Sequence, residues 1–329
     1  MQQADIIHTL SRSLASPMVL AFVLGVIATL LRSDLKFPEG MYMGLTIYLL
    51  FAIGLKGGVK LSHTPLIDFL LPGGAAVIMC CIIPVLTYFI LHHLAKFDTV
   101  NAAAMSAHFG SVSAVTFSQS ITYAETAGIA FEGFMPALLA IMEVPGVLIA
   151  LYIARKKMAT DNQNNEVMRE LLTGKGIILL IGGILIGLMS GDQGYESVAP
   201  LFDAPFKGIL CLFLLEVGLV TGRRVGDLRK VGLRLIAFSL LIVGINALLG
   251  SLVAAFCGLS VGGIGIFTVL CASASYIAAP AAIRIALPEA NPGYYLTAAL
   301  AIVFPFNVIV GIPLYFKLAT YIHPIIAAL

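Results

Sequence analysis

Two pairs of serines in apolar surroundings could bind a small anion together with a cation. Ser111 and Ser113 form the first pair, and Ser273 and Ser275 follow 162 residues later. Serine hydroxyl groups can donate hydrogen bonds to anion oxygens, and hydroxyl and carbonyl oxygens can coordinate Na⁺. A single serine more often bonds to its own helix or to a neighbouring one. Two clusters in matched positions favour an ion-binding site instead.

The residues beside each serine pair predict that the surrounding helices are interrupted. Gly110 permits an unwound turn before the first pair, and Pro280 disfavours continuous helix after the second. A helix broken within a membrane exposes N–H groups and a positive dipole end, which suit an anion, and carbonyl groups, which suit Na⁺. We therefore expect segments 102–123 and 262–285 to break and cross each other near the middle of a membrane, with Thr116 close to the crossing.

Ionisable and amide side chains within apolar segments are the next candidates. A carboxylate in a bilayer is costly and usually coordinates an ion or relays a proton, which draws attention to Glu143 and Glu216. Asn307 stands in the last apolar segment at the position that corresponds to Glu143. His108 could act as a gate or pH sensor, and Arg284 could mark a cytoplasmic helix end or attract an anion. Purely structural roles remain open for both acids and for the histidine.

The composition predicts an all-α integral membrane protein. The 329 residues are 60% hydrophobic and 11% charged, with a mean hydropathy of +1.01, whereas soluble domains carry about 25% charged residues. The net charge of +2 gives no indication of a nucleic-acid partner. Apolar segments predict ten transmembrane helices, at 14–31, 41–55, 71–91, 102–123, 134–154, 176–190, 204–222, 233–256, 262–285 and 294–318.

An internal repeat divides these segments into two halves. The segments Gly54–Gly58 and Gly218–Gly222 share a Gly-Leu-x-x-Gly pattern 164 residues apart, close to the spacing of the serine pairs. Five spans in each half place the second copy upside down in the bilayer, as in many secondary transporters. We expect a first repeat at 1–154, a hydrophilic linker at 155–175 and an inverted second repeat at 176–329.

The distribution of basic residues predicts the orientation. With the linker in the cytoplasm, 14 Lys and Arg residues fall in cytoplasmic loops and 5 fall outside. Both termini then lie outside the cell, in a plasma (inner) membrane. A segment of the linker, 167–172, could form a short amphipathic helix on the membrane surface.

The chain resembles the sodium-dependent bicarbonate permeases over nearly its whole length. The most specific likeness is the serine-rich stretch 272–284 with its Pro and Arg, followed by the Pro-x-Ala-Asn-Pro pattern within 287–292. Segments 109–113 and 143–145 are similar to the first-half motifs of that family. The chain departs from the family where Ala274 and Tyr276 replace a serine and an Asp, and where 114–116 reads Ala-Val-Thr instead of Gly-Ser-Thr.

The resemblance implies two inverted five-helix repeats, an elevator-like movement and Na⁺-coupled bicarbonate uptake without any other cofactor. It implies a homotrimer and a PII-like regulator on the cytoplasmic face. The anion site would comprise Gly110, Ser111, Ser113, Ser273, Ala274 and Ser275. The Na⁺ site would draw on Thr116, Glu143, Ser275, Tyr276 and Asn307, while His108, Glu216, Pro280 and Arg284 would gate or support the structure.

Other functions stay open beside Na⁺-coupled symport. A proton-coupled antiporter or a sodium-coupled organic-anion symporter keeps the fold and changes the coupling or the substrate. A non-transporting membrane sensor would bind its ligand without flux. An enzyme is not expected, because the sequence has no His-Glu-x-x-His motif and no paired intramembrane aspartates.

Overall fold

The computed structural model describes residues 15–158, 169 and 172–328, which form helices and turns without a β-strand. Its first half contains α1 (Pro17–Leu30), α2 (Glu39–Ser62), α3 (Leu66–Phe89), α4 (Thr99–Gly110), α5 (Ala114–Ala127), α6 (Met135–Met142) and α7 (Pro145–Met158). The second half contains α8 (Lys175–Phe202), α9 (Phe206–Phe256), α10 (Val261–Ala272), α11 (Ala278–Ala286) and α12 (Pro292–Ala327).

Six segments of the described chain are helices long and apolar enough to cross a membrane. They are Glu39–Ser62, Leu66–Leu94, Met135–Lys156, Lys175–Phe202, Gly232–Phe256 and Pro292–Ala327. The helices α1 and α10 are apolar but shorter. The predicted all-helical membrane class is therefore confirmed, whereas the count of ten spans stays a prediction. Most of the segment 167–172, the predicted surface helix, and most of the linker lie outside the described residues.

Two helices extend beyond their predicted ends. The second predicted segment, 41–55, is part of α2, which runs without a break for 24 residues. Its last turns carry Lys56 and Lys60, and Lys56 forms an ion pair with Asp203. The sixth predicted segment continues past Gly191 into a second helical stretch, and Gly191 makes the bend at φ 58°. A positive φ of this kind favours glycine.

The expected interruptions of the fourth and ninth segments are present. Residues Ser111–Ser113 separate α4 from α5, and residues 273–277 separate α10 from α11. Gly110 is the last helical residue of α4, and the extended turn begins directly after it at Ser111. A Cβ there would lie 2.9 Å from the ring of Pro84, so close packing against α3 calls for glycine. Pro280 lies in the first turn of α11, where its missing N–H costs nothing.

A third interruption, between α6 and α7, was not predicted. The helix stops at Met142 and resumes at Pro145, leaving Glu143 and Val144 in a turn. Gly146 then passes so close to the backbone of Gly110 that a side chain would not fit between them. The break in this segment therefore lies directly against the break between α4 and α5. The Pro145-Gly146 pair was the sequence signal for it.

The repeated glycine motif mediates two equivalent helix contacts. In the first copy, Gly54 and Gly58 of α2 face the backbone of α8 around Gly183 and Gly187. In the second copy, Gly218 of α9 faces the backbone of α1 beside Gly25. Small residues let membrane helices approach this closely and pack over a large area. Each copy thus packs against the first helix of the other half.

The start of each crossing segment is also tied to the other half. Glu132, before α6, accepts hydrogen bonds from the backbone amide (2.6 Å) and hydroxyl (3.2 Å) of Ser260 at the start of α10. Asn101 in the first turn of α4 accepts a bond from the amide of Asn291 at 2.8 Å, just before α12. These three bonds hold α4 and α10 at fixed positions relative to the opposite repeat.

Candidate functional site

Backbone hydrogen bonds join the two serine-containing interruptions. The amide of Ser113 donates to the hydroxyl of Ser273 at 3.0 Å, and the amide of Ser275 donates to the carbonyl of His108 at 2.7 Å. Each extended segment thus uses the other to satisfy one of its backbone groups. Since unpaired backbone groups are costly away from water, this exchange fixes how the two breaks meet.

Ser113 and Ser275 cap the helices that leave the breaks. The Ser113 hydroxyl oxygen accepts bonds from the amide of Thr116 at 3.2 Å and from its hydroxyl at 2.9 Å. The Ser275 hydroxyl oxygen accepts a bond from the amide of Ala279 at 3.3 Å. Among the described residues the Ser275 hydroxyl donates to no acceptor, so its proton is available to a ligand.

Ser111 and Ser273 have hydroxyl groups that are engaged with the protein. The Ser111 hydroxyl donates to the carbonyl of Glu143 at 2.8 Å, and the Ser273 hydroxyl donates to the carbonyl of Leu270 at 3.0 Å. Both side chains are completely buried. These two serines therefore join the interruptions to one another, whereas Ser113 and Ser275 face a cavity.

A small cavity lies where the breaks meet. An anion with a cation beside it would need these walls to move apart. The side chains and backbone around it belong to Leu50, Val112, Ser113, Ala114, Glu143, Ser275, Tyr276 and Ile277.

The cavity combines a positive and a negative element. Its wall contains Ala114, the first residue of α5, and Ile277, the residue before α11, so two helix N-termini lie at the cavity. Such N-termini favour an anion. Glu143 contributes a carboxylate whose Oε2 is buried and has no hydrogen-bond partner among the described residues. A free carboxylate oxygen is a suitable ligand for Na⁺ or a carrier for a proton.

Tyr276 supplies the other polar group of the cavity wall. Its hydroxyl is buried and interacts with Ser113 without completing a well-formed hydrogen bond. Its ring packs edge-on against Phe304, with ring centroids 5.5 Å apart. A phenol therefore occupies the position where the resembling family carries an Asp, and it brings a hydroxyl but no charge.

Three further predicted site residues lie beside the cavity rather than at its wall. Asn307 donates from Nδ2 to the carbonyl of Ala272 at 2.9 Å and accepts from the Tyr315 hydroxyl at 2.7 Å. It thereby caps the end of α10, and Tyr315 is a supporting residue that the sequence reasoning missed. Thr116 bonds to Ser113, and Ala274 is buried within the break.

The predicted gating residues lie in different environments. His108 is buried, bonds through Nδ1 to the carbonyl of Ala104 at 2.7 Å and stacks on Tyr295. Glu216 lies on α9 with its carboxylate 3.9 Å from Arg223, outside the walls of the cavity. Arg284 is exposed in the last turn of α11. Of these residues only His108 touches the crossing, through its backbone carbonyl.

These features define a multi-pass helical membrane protein of the transporter class, with an enclosed site at interrupted helices. The Na⁺-dependent bicarbonate transporter superfamily matches residues 17–320 of the chain, so the chain belongs to that superfamily. The comparison with curated proteins finds no match to it.

Proposed function

We propose that the protein is a secondary transporter that couples inward Na⁺ movement to the uptake of bicarbonate or a similar small anion. The observation that carries this proposal is the cavity at the joined breaks, which brings Ser113, Ser275 and Glu143 together. Hydroxyl donors and two helix N-termini would bind the anion. The Glu143 carboxylate, with oxygens near the breaks, would bind Na⁺.

Binding both ions in one enclosed site gives a physical reason for coupling. An anion that enters alone would lie close to the Glu143 carboxylate and be repelled by it, and Na⁺ between them removes that repulsion. Each ion therefore raises the affinity for the other, as reciprocal linkage requires. A site of this kind moves both ions together once it alternates between the two sides of the membrane.

The proposal includes ten spans arranged as two inverted repeats that move in an elevator-like manner. The equivalent glycine contacts of α2 with α8 and of α1 with α9 support the repeat. We place the protein in the plasma (inner) membrane with both termini outside and the linker in the cytoplasm. A homotrimer and a PII-like cytoplasmic regulator follow from the family resemblance, and cross-linking in membranes would test the trimer.

Proton coupling is the second candidate, and the buried Oε2 of Glu143 without a partner is the observation that favours it. The two candidates separate in proteoliposomes that contain the purified protein. Labelled bicarbonate uptake is measured with an inward Na⁺ gradient alone and with a proton gradient alone, at a pH where bicarbonate predominates over CO₂. We expect accumulation with the Na⁺ gradient. Accumulation with only the proton gradient would replace this proposal by the proton-coupled one.

A further inference from the structure

We propose that a second cavity, lined by Lys56 and Lys60, is an anion-collecting vestibule on the extracellular side of the serine site. This inference rests on the proposed function, because it concerns the route of the same anion. The vestibule lies between the C-terminal end of α2, the helix α5, the start of α6 and the start of α9. Nothing in the family resemblance assigns it a role.

Shared lining residues place the vestibule and the serine site on either side of one smaller cavity, which we call the neck. Ile53 and Ser118 line both the vestibule and the neck. Leu50, Ala114 and Ile277 line both the neck and the serine-site cavity. The three cavities therefore form one row that runs from the Lys56 end of α2 towards Ser113 and Ser275.

The other charges around the vestibule form ion pairs, and the positive charge of Lys60 is in no such pair among the described residues. Lys56 is paired with Asp203, and Glu125, which also lines the vestibule, is paired with Lys207 at 3.4 Å. Lys60 has no carboxylate within ion-pair distance among the described residues. Its ammonium group lies 5.0 Å from the ring centroid of Phe131, a contact that leaves it able to bind an anion.

The neck explains why a collecting site is useful. Its only polar side chains are Thr46 and Ser118, and both hydroxyls donate to carbonyls of their own helices, at 2.9 Å and 2.8 Å. An anion gains few hydrogen bonds there and has to lose water to pass, which is costly. A positive vestibule in front of an apolar neck raises the local anion concentration and so the rate of passage.

The orientation of the chain places the vestibule outside. In the orientation set by the basic residues, α2 ends, α5 ends and α9 begins on the extracellular side. All three of these helix ends surround the vestibule. An anion arriving from outside therefore meets Lys60 before it meets the serines.

The test uses a charged thiol reagent as the probe and needs no transport. Ile121 lines the vestibule, and an Ile121→Cys variant is labelled from outside with methanethiosulfonate reagents, one an anionic sulfonate and the other a cationic trimethylammonium. Rates are corrected for the labelling of the parent chain and for the reaction with a free thiol. We expect the anionic reagent to react faster, and Lys60→Gln to lower the anionic-to-cationic ratio by about threefold to tenfold.

Two controls make the result specific to the charge of Lys60. Lys60→Arg keeps the charge and should keep the ratio, whereas Lys317→Gln removes an extracellular charge from a residue outside the vestibule wall and should leave the ratio unchanged. An unchanged ratio in Lys60→Gln, or labelling of Ile121→Cys only from the cytoplasmic side, would overturn the proposal. Labelling does not depend on bicarbonate flux. The labelling result can therefore contradict the vestibule proposal while Na⁺-coupled transport is confirmed, and the reverse also holds.

Discussion

The Ser113 amide donates a hydrogen bond to the Ser273 hydroxyl at 3.0 Å, across 160 residues of sequence. This bond joins the two helix interruptions that the internal repeat predicts. The returning bond from the Ser275 amide to the His108 carbonyl makes the joint reciprocal. The cavity lies beside this bond, where both segments of the chain are extended and neither forms a helix.

The glycine contacts between the halves predict a stability effect that depends on position. Gly218→Ala should lower the free energy of unfolding by about 1–3 kcal/mol, because its Cβ would meet the backbone of Phe22 in α1. Gly44→Ala in α2 is the control, since a Cβ there meets nothing within 4 Å. Thermal unfolding of the detergent-solubilised protein measures both. Equal melting temperatures for the two variants would contradict this packing.

Two buried asparagines should respond in opposite ways to the same substitution. Asn307→Leu leaves the Ala272 carbonyl and the Tyr315 hydroxyl without partners, which should cost about 1–3 kcal/mol for each group. Asn246 is also buried, but neither its Nδ2 nor its Oδ1 has a hydrogen-bond partner among the described residues. Asn246→Leu should therefore be neutral or stabilising. Thermal unfolding compares them, and a larger loss in Asn246→Leu would contradict the account.

Glu143 is the only carboxylate at the wall of the serine-site cavity in the described chain. Glu143→Gln keeps the shape of the side chain and removes its charge, so Na⁺ should bind about tenfold to a hundredfold more weakly. The Na⁺ concentration that gives half-maximal bicarbonate uptake should rise accordingly. Glu216→Gln is the control, because Glu216 lies outside that wall. An unchanged Na⁺ dependence of uptake in Glu143→Gln would contradict the assignment of Glu143 to the Na⁺ site.

The charge of Asp203 should limit how strongly the vestibule attracts an anion. Burial raises the pKa of Asp203, but its interactions with Lys56 and Tyr195 and the nearby charge of Lys60 outweigh burial and lower it below the ordinary 3.8. The pair with Lys56 is therefore complete at neutral pH and is lost only as the pH falls through that lowered pKa. Asp203→Asn frees Lys56 at every pH and should raise the labelling rate of Ile121→Cys by the anionic reagent. A slower rate would contradict the assigned charge balance.

The apolar composition predicted the helical membrane class, and Gly110, Pro280 and the repeated serine pairs predicted the breaks near Ser111 and Ser273. They did not predict which hydroxyls face the cavity. Ser111 and Ser113 are neighbours of the same type, yet one bonds to the Glu143 carbonyl and the other faces the cavity. That difference depends on the turn at Glu143, which packs against them from another segment.

The sequence also did not predict the vestibule. Lys56 and Lys60 read as the loop after a short second span, whereas they lie on the last turns of a 24-residue helix. Their position at the vestibule depends on the packing of α2 against α6, α8 and α9. Residues so far apart in the chain carry no common pattern. Asn307 was predicted as an ion ligand from its place in the repeat, and it caps α10 instead of facing the cavity.

The central claim is that Ser113 and Ser275 bind the transported anion. The most direct test is Na⁺-gradient-driven uptake of labelled bicarbonate by proteoliposomes containing the double variant Ser113→Ala/Ser275→Ala. The control is Ser106→Ala/Ser251→Ala, two buried serines that bond only to their own helices. We predict a loss of about a hundredfold in apparent affinity or rate in the first variant and near-normal uptake in the second. Normal Na⁺-driven uptake by Ser113→Ala/Ser275→Ala would contradict the account.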